Sequence, residues 1–145
     1  MNNFSKTTNE EMKEFILLKQ WDKILNNLCN ITNDELYINS TYFKHIYTSE
    51  TYSIVLQHIL NNIDNLLTNS TTFNIHLNIK DLTFLDIEKN AGFIFECAPV
   101  FKERYPDRLL KMYIYNSSFM FSQFYKILSN VLDKKTKEKI VCISV

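Results

Sequence analysis

The spacing of apolar residues predicts helices that alternate with strands along most of the chain. In the first half, residues 9–29 place apolar side chains at mostly helical intervals behind a capping box of Thr8 and Glu11, which predicts an amphipathic helix. A second helix is predicted over residues 49–67. Between the two, residues 36–38 indicate a short strand.

The second half shows a clearer alternation of elements. Phe73, Ile75, Leu77 and Ile79 alternate with polar residues, which predicts a strand over 74–80 with one face in a core. The remaining predicted elements are a helix over 85–104 ended by Tyr105-Pro106, a strand over 111–116, a helix from Ser117 or Ser118 to about residue 128, a short charged helix after Asp133, and a strand over 140–145.

This order indicates an α/β fold in which helices surround a mostly parallel sheet joined by right-handed crossovers. Residues 1–48 are interpreted as an N-terminal helical segment and residues 49–145 as the core. No linker separates the two parts, so one compact domain is expected.

Charge and cysteine usage narrow the class of protein. Sixteen basic residues balance sixteen acidic ones, so no overall field attracts nucleic acid, and no nucleic-acid partner is expected. The three cysteines, Cys29, Cys97 and Cys142, have neither CxxC nor metal-ligand spacing. A reduced cytoplasmic protein without a metal is the simplest interpretation, since the N-terminus is polar and no stretch has the length of a membrane span.

Sequence features of an enzyme are missing. One glycine cannot build a phosphate-binding loop, and there is no Gly-x-Ser-x-Gly elbow. His45, His58 and His76 stand apart from the carboxylates and cysteines that would make a triad. The sequence therefore predicts neither catalysis nor a cofactor.

The most specific succession of residues lies between Phe101 and Ile140. It contains Tyr105-Pro106-Asp107-Arg108, a strand ending in Asn116, an aromatic helix, Leu132-Asp133, and a threonine followed three residues later by a lysine. This succession resembles the CRAL-TRIO family of lipid-binding domains, of the phosphatidylinositol-transfer type, in a shortened form. The chain departs from the family pattern where two glycines are replaced, one by Leu110 and one near Phe84.

The resemblance implies a headgroup site. In relatives that bind phosphatidylinositol, the motif residues hold the inositol phosphate, and by resemblance these are Asp107, Arg108, Thr136 and Lys139. Their chemistry fits, because an arginine fork and a lysine bind phosphate oxygens and the other two offer a carboxylate and a hydroxyl. The alternative is an exposed ion pair beside a solvated run of lysines.

The resemblance also implies a pocket for acyl chains. The predicted helix 118–128 corresponds to the family's mobile gate, and its implied pocket residues are Phe119, Phe121, Phe124, Tyr125 and Leu128. Ordinary core packing is the alternative, since a helix with several apolar faces must be buried. His76 and Asn78 are the implied cavity-facing residues of their strand, the alternative being a solvent-facing strand edge.

Two functions follow from these implications. The first is a soluble lipid-binding or transfer protein, most of all for phosphatidylinositol, which contacts membranes transiently and exchanges lipid at their surfaces. The second is a shortened module that binds a protein partner, such as a small GTPase or its regulator, without transferring lipid.

Overall fold

A single mixed sheet organises the chain. The computed structural model describes residues 4–46, 48–115 and 118–143, apart from the side chains of residues 118 and 119. Within them the strands are β1 (Cys29–Thr32), β2 (Glu35–Asn39), β3 (Phe73–Asn78), β4 (Leu109–Tyr115) and β5 (Ile140–Ile143). They lie in sequence order, with β1 antiparallel to β2 and all later pairs parallel. The predicted α/β fold with a mostly parallel sheet is confirmed.

Helices fill the connections between the strands. They are α1 (Asn9–Leu17), α2 (Trp21–Leu28), a 3-10 helix (Ser40–Lys44), α3 (Ser49–Leu66), α4 (Phe84–Lys89), α5 (Ala91–Arg104), α6 (Ser118–Ser129) and α7 (Lys134–Lys137). Among the described residues, no helix combines the length and apolar character needed to cross a membrane. Asn116 and Ser117, together with residues 144 and 145 of the predicted last strand, lie outside the described residues.

The helix predicted over 9–29 is divided into two. Lys19 has a φ of 53°, and the chain leaves the helix there in a Schellman motif. In this motif the Gln20 N–H donates to the carbonyl of Phe15 at 2.9 Å, and the Lys19 N–H donates to that of Ile16 at 3.1 Å. Apolar spacing continues across the break, which is why the pattern predicted one helix.

A β-hairpin occupies part of the segment that was predicted as helical. Asn33 and Asp34 have φ values of 53° and 62°, which makes the two-residue connection between β1 and β2 a primed turn. The parallel pairing of β2 with β3 then joins this hairpin to the sheet. Within the described residues 4–46, the chain therefore supplies two strands of the same sheet in addition to its helices.

The helix predicted over 85–104 is also interrupted, at Asn90. Its amide nitrogen donates to the carbonyls of Phe43 and Asp86, both at 2.9 Å, and its amide oxygen accepts from the Tyr52 hydroxyl at 2.7 Å. Asn90 is buried. These bonds tie α4 and α5 to the 3-10 helix and to α3, so the interruption depends on contacts far away in the sequence.

The two glycine replacements cause no backbone strain. Leu110 and Phe84 are absent from the described residues with positive φ, which include Asp81 at 66° and Asp107 at 61°. Aspartate tolerates this region better than most residues do. The replacing side chains of Leu110 and Phe84 are half-exposed, so they project outward without overpacking the core.

Candidate functional site

An apolar cavity of about 150 Å³ lies between the sheet and the helices. Its floor is formed by Ile38, Ile75, Leu77 and Met112, which belong to three neighbouring strands. Its walls come from α3, α4, α5 and α6, and nearly all of its lining is apolar. Such a space suits a hydrocarbon group and offers little to a polar one.

A second cavity of about 320 Å³ adjoins the first and is lined at one end by charged residues. The two cavities share the lining residues Ile75, Ala98, Phe101, Met112 and Leu132. At its charged end the second cavity is lined by Lys102, Asp107, Asp133, Lys135, Thr136 and Lys139. An apolar space thus adjoins a group of three lysines, two carboxylates and one threonine hydroxyl.

Three of the four residues implied for the headgroup line this second cavity, and the fourth does not. Asp107, Thr136 and Lys139 are in its lining. Arg108 is exposed and lines neither this cavity nor the apolar one. Its backbone has a structural role, because its carbonyl accepts from the Phe73 N–H at 3.0 Å and joins β3 to the turn before β4.

Asp107 is already engaged by a lysine. The Lys135 ammonium donates to its carboxylate at 2.7 Å, and both side chains are largely exposed. The hydrogen bond and charge of Lys135 hold the pKa of Asp107 below its usual value. Asp107 therefore carries a negative charge at neutral pH, beside the cations of the same cavity.

Thr136 and Lys139 are positioned by the short turn of α7. The Thr136 N–H donates to the Asp133 carboxylate at 2.8 Å, and the Lys139 N–H donates to the Thr136 carbonyl at 3.0 Å. The Lys139 carbonyl accepts from the Met112 N–H at 3.0 Å, which anchors the turn on β4. Asp133 is bonded by both the N–H and the side chain of Thr136, and these two bonds hold the pKa of Asp133 below its usual value.

Two of the five residues implied for the gate reach the apolar cavity. Phe124 and Leu128 are buried and form part of its wall. Phe121 is half-buried and packs its ring against that of Tyr125, with centroids 5.7 Å apart, and neither residue lines the cavity. The side chain of Phe119 lies outside the described residues.

The opposite wall was missed by sequence reasoning. It consists of the α5 residues Phe93, Ile94, Cys97, Ala98 and Phe101. Their spacing of three and four residues was the available signal, but that spacing is equally typical of a helix packed into an ordinary core. Whether α5 fills the space above the sheet or leaves a cavity there is decided by the tertiary structure.

His76 and Asn78, which the resemblance implied as cavity-facing, line neither the apolar cavity nor the second cavity. Side chains alternate along a strand, and it is Ile75 and Leu77 that line the apolar cavity. His76 and Asn78 therefore lie on the other face of the sheet. They are not at a solvent-facing edge either, because both are buried and β3 is the central strand.

His76 is enclosed by tyrosines on its own face of the sheet. Its ring stacks on those of Tyr37 and Tyr113, with centroid distances of 4.4 and 4.9 Å. The imidazole Nε2 lies 2.5 Å from the Glu35 carboxylate, and Nδ1 lies 2.7 Å from the Tyr115 hydroxyl, both within hydrogen-bond distance. This arrangement satisfies both ring nitrogens and stabilises the sheet.

Asn78 lies at the carboxyl end of β3, where its amide oxygen accepts from the Lys80 N–H at 3.0 Å. It lines a separate polar pocket together with Asn39, Thr41 and the chain near Phe4. Among the residues that the structure describes, no group of three His, Cys, Asp or Glu side chains could hold a metal ion.

Comparison with known proteins agrees with this architecture. The family model of the CRAL/TRIO domain matches residues 11–145. The solved structure titled "Crystal structure of Sfh5" has the same fold, with a TM-score of 0.64, 15% sequence identity and 83% of this chain covered. The chain spans 50% of the length of that structure. A search of curated protein sequences found no match. Because the family model covers nearly the whole chain, the chain belongs to the CRAL/TRIO domain family.

Proposed function

We propose that this chain is a lipid-binding domain that takes an acyl group into the apolar cavity and holds a phospholipid headgroup at the charged end of the second cavity. The observation that carries the proposal is that the apolar cavity and the charged one adjoin and share Ile75, Met112 and Leu132 in their linings. An amphiphile needs this combination of a dry compartment and a polar one. Membership of the CRAL/TRIO family supports it.

Phosphatidylinositol is the favoured lipid. Lys139 provides a cation for its phosphate, and Lys135 would share its charge between the phosphate and Asp107. The Thr136 hydroxyl would turn from Asp133 to the phosphate to add a hydrogen bond. Asp107 would accept from inositol hydroxyls, which a simpler anionic headgroup lacks. Arg108 would join them by a change of its side-chain rotamer, since its backbone lies beside the cavity.

Binding requires the apolar cavity to enlarge. Its volume of about 150 Å³ is close to that of engineered cavities that hold a benzene-sized molecule. A whole acyl chain therefore enters only if a wall moves. Helix α6 is the proposed moving wall, because it contributes Phe124 and Leu128 and belongs to the smaller of the two apolar clusters of the core. Its movement would accompany transient contact with a membrane and lipid exchange there.

Lipid analysis tests the proposal directly. The purified chain is extracted, co-purifying phospholipids are identified by mass spectrometry, and transfer of labelled phosphatidylinositol between vesicles is measured. We expect bound phospholipid, and we expect Lys139→Ala to reduce phosphatidylinositol transfer about tenfold by removing one charge-assisted contact.

Lys134→Ala is the matched control, since Lys134 is an exposed lysine of α7 that lines neither cavity. If both substitutions reduced phosphatidylinositol transfer equally, the lysines would contribute only their overall positive charge and Lys139 would have no specific contact with the headgroup. Absence of any bound or transferred phospholipid would reject the proposal and favour a protein-binding module.

A further inference from the structure

A third pocket, of about 400 Å³, lies apart from the two lipid cavities and shares no lining residue with either. It lies at the carboxyl ends of the neighbouring parallel strands β2 and β3, where the last residues, Asn39 and Asn78, are opposite each other in the register. The crevice outside the carboxyl ends of parallel strands is where open α/β sheets bind soluble ligands. The position and size of this pocket therefore make it a second candidate binding site.

Ordered contacts hold the N-terminal segment that forms one wall of the pocket. Phe4 is buried, and its ring lies edge-on to those of Tyr37 and Tyr115, with both centroid distances at 5.2 Å. The Ser5 hydroxyl donates to the side-chain oxygen of Asn27 at 2.8 Å, which anchors the same segment on α2. The pocket is therefore enclosed by packed structure and is not a gap beside a loose end.

Polar groups make up most of the lining. Asn39, Thr41 and Asn78 are at most 8% exposed, so three polar side chains are buried at one place. Other lining residues contribute three further hydroxyls, two ammonium groups and one carboxylate, and only Phe4 and Met12 are apolar. A lining of this kind suits a ligand that carries hydroxyl groups, whereas an acyl chain would leave its polar groups without partners.

The side-chain amide of Asn39 is only half used. Its oxygen accepts from the Thr41 N–H at 3.3 Å, which fixes the orientation of the amide, because only the oxygen can accept. Its nitrogen donates to no described residue, although Asn39 is only 5% exposed. A buried donor without a protein partner is costly unless a ligand or water satisfies it. Asn39 therefore offers two N–H groups to a molecule in the pocket.

The charges of the lining favour an anion. They are two cations, Lys6 and Lys80, and one anion, Asp81. Both lysines are exposed, and neither ammonium group forms an ion pair with any residue that the structure describes. The acidic residues of the first turn of α1, Glu10 and Glu11, are outside the lining, and Glu11 is engaged in capping the helix.

We propose that this pocket binds a small hydroxylated anion of the sugar phosphate class. Lys6 and Lys80 hold its phosphate, since two ammonium groups match the charge of a phosphate dianion. Asn39 donates to its hydroxyls, and Asp81 accepts from them. The inference does not depend on the proposed lipid binding, because the pocket is separate from both lipid cavities and can be filled at the same time as they are.

Glucose 6-phosphate is the probe, and glucose and inorganic phosphate are the two partial ligands. The isotope-labelled chain is titrated with each, and nuclear magnetic resonance follows its backbone amides and the side-chain amide of Asn39. We expect glucose 6-phosphate to shift the signals of Asn39 and of residues 5–9 and 78–81, and to leave those of residues 131–139, around the charged end of the second cavity, unchanged. Each partial ligand should bind at least tenfold more weakly.

Substitutions separate the two sites. The double substitution Lys6→Ala with Lys80→Ala should weaken glucose 6-phosphate binding at least tenfold and leave phosphatidylinositol transfer unchanged, and Lys139→Ala should do the reverse. Lys126→Ala is the charge control, because Lys126 is an exposed lysine of α6 that lines none of the three pockets. Asn39→Asp should also weaken binding, since it keeps the acceptor oxygen and replaces the N–H donors by a carboxylate. Circular dichroism checks that each variant is folded.

Four results would overturn the inference. They are no shift of the Asn39 signal at millimolar glucose 6-phosphate, equal binding of inorganic phosphate and glucose 6-phosphate, equal losses in the double lysine variant and in Lys126→Ala, and shifts of residues 78–81 with phosphatidylinositol vesicles alone. The last result would assign the pocket to a lipid headgroup. If glucose 6-phosphate binds as expected but no phospholipid is bound or transferred, the proposed function fails and this inference stands.

Discussion

The Lys135 ammonium lies 2.7 Å from the Asp107 carboxylate and joins the turn before β4 to α7, across 28 residues of sequence. The pair brings the two parts of the candidate headgroup site to the same end of the second cavity. It also means that the carboxylate and a cation of the site are coupled, so changing one changes what the other can bind.

Asp107→Ala should reduce the affinity for phosphatidylinositol and leave that for phosphatidic acid unchanged or higher. The substitution removes the proposed acceptor for inositol hydroxyls and frees Lys135 for phosphate. The thermal unfolding midpoint should fall only slightly, because the ion pair is exposed and the loss comes from placing alanine at a φ of 61°. Equilibrium binding of the two labelled lipids checks this, and an equal loss for both would contradict the role given to Asp107.

Cys97 should report on occupancy of the apolar cavity. Burial, aided by the charge of Glu96, raises the pKa of the Cys97 thiol to about 12, and Cys97 lines the cavity, whereas Cys142 is exposed. Iodoacetamide at pH 8 should therefore modify Cys142 first, and bound phospholipid should slow modification of Cys97 further. Peptide mass spectrometry measures both rates; labelling of Cys97 that is as fast as that of Cys142 would show that the cavity is open.

His76→Ala should lower the free energy of unfolding by about 2–4 kcal/mol without changing lipid affinity. The substitution removes a buried ring between Tyr37 and Tyr113 and leaves the Glu35 and Tyr115 groups without their partner. Urea denaturation measures the first effect and lipid binding the second. His76→Phe is the control, because it keeps the stack and loses only the hydrogen bonds.

A loss of lipid affinity in His76→Ala at unchanged stability would argue that this face of the sheet contacts the ligand. The variant therefore tests which face of β3 serves the lipid.

The stabilising contribution of Asp86 should depend on pH. Burial alone would raise the pKa of Asp86, but the hydrogen bonds from Lys44 and Thr83 outweigh it, and its pKa lies below the ordinary value. A depressed pKa in the folded state means that the contribution is present above the unfolded-state pKa of about 3.9 and is lost as the pH falls through the folded-state value.

Asp86→Asn should therefore cost about 1 kcal/mol of unfolding free energy at pH 7, and the difference from the unchanged chain should shrink below about pH 4. Urea denaturation at several pH values measures it. Lys44→Met should cost at least as much at pH 7, since it removes the bond to Asp86 and also the bond to the Asp81 carbonyl. For Asp86→Asn, a difference that stays constant with pH would contradict the assignment.

Part of the site could be predicted because a family motif preserves its order in the chain. Asp107, Thr136 and Lys139, three of the four residues that the motif implied, line one cavity. Arg108, the direct neighbour of Asp107, does not line it. The side chains of adjacent residues in a turn point in different directions. Here the positive φ of Asp107 sets the directions of the Asp107 and Arg108 side chains.

The hairpin turn at Asn33-Asp34 carried a local signal that the apolar pattern did not use. Asparagine and aspartate are residues that tolerate positive φ at both central positions of a primed turn. The break at Asn90 had no comparable signal, because its bonds to Phe43 and Tyr52 come from distant elements.

By itself, the sequence determined that helices and strands alternate and that β3, β4 and β5 are parallel, because periodicity and crossover handedness are local or nearly local properties. Only the tertiary structure decided which face of β3 borders the cavity. A central strand is buried on both faces, so the polar His76 and the apolar Ile75 are both buried. The alternation of side chains along β3 therefore does not indicate which of its two faces borders the cavity. That choice depends on how α5 and α6 pack across the sheet, and no short stretch of sequence contains it.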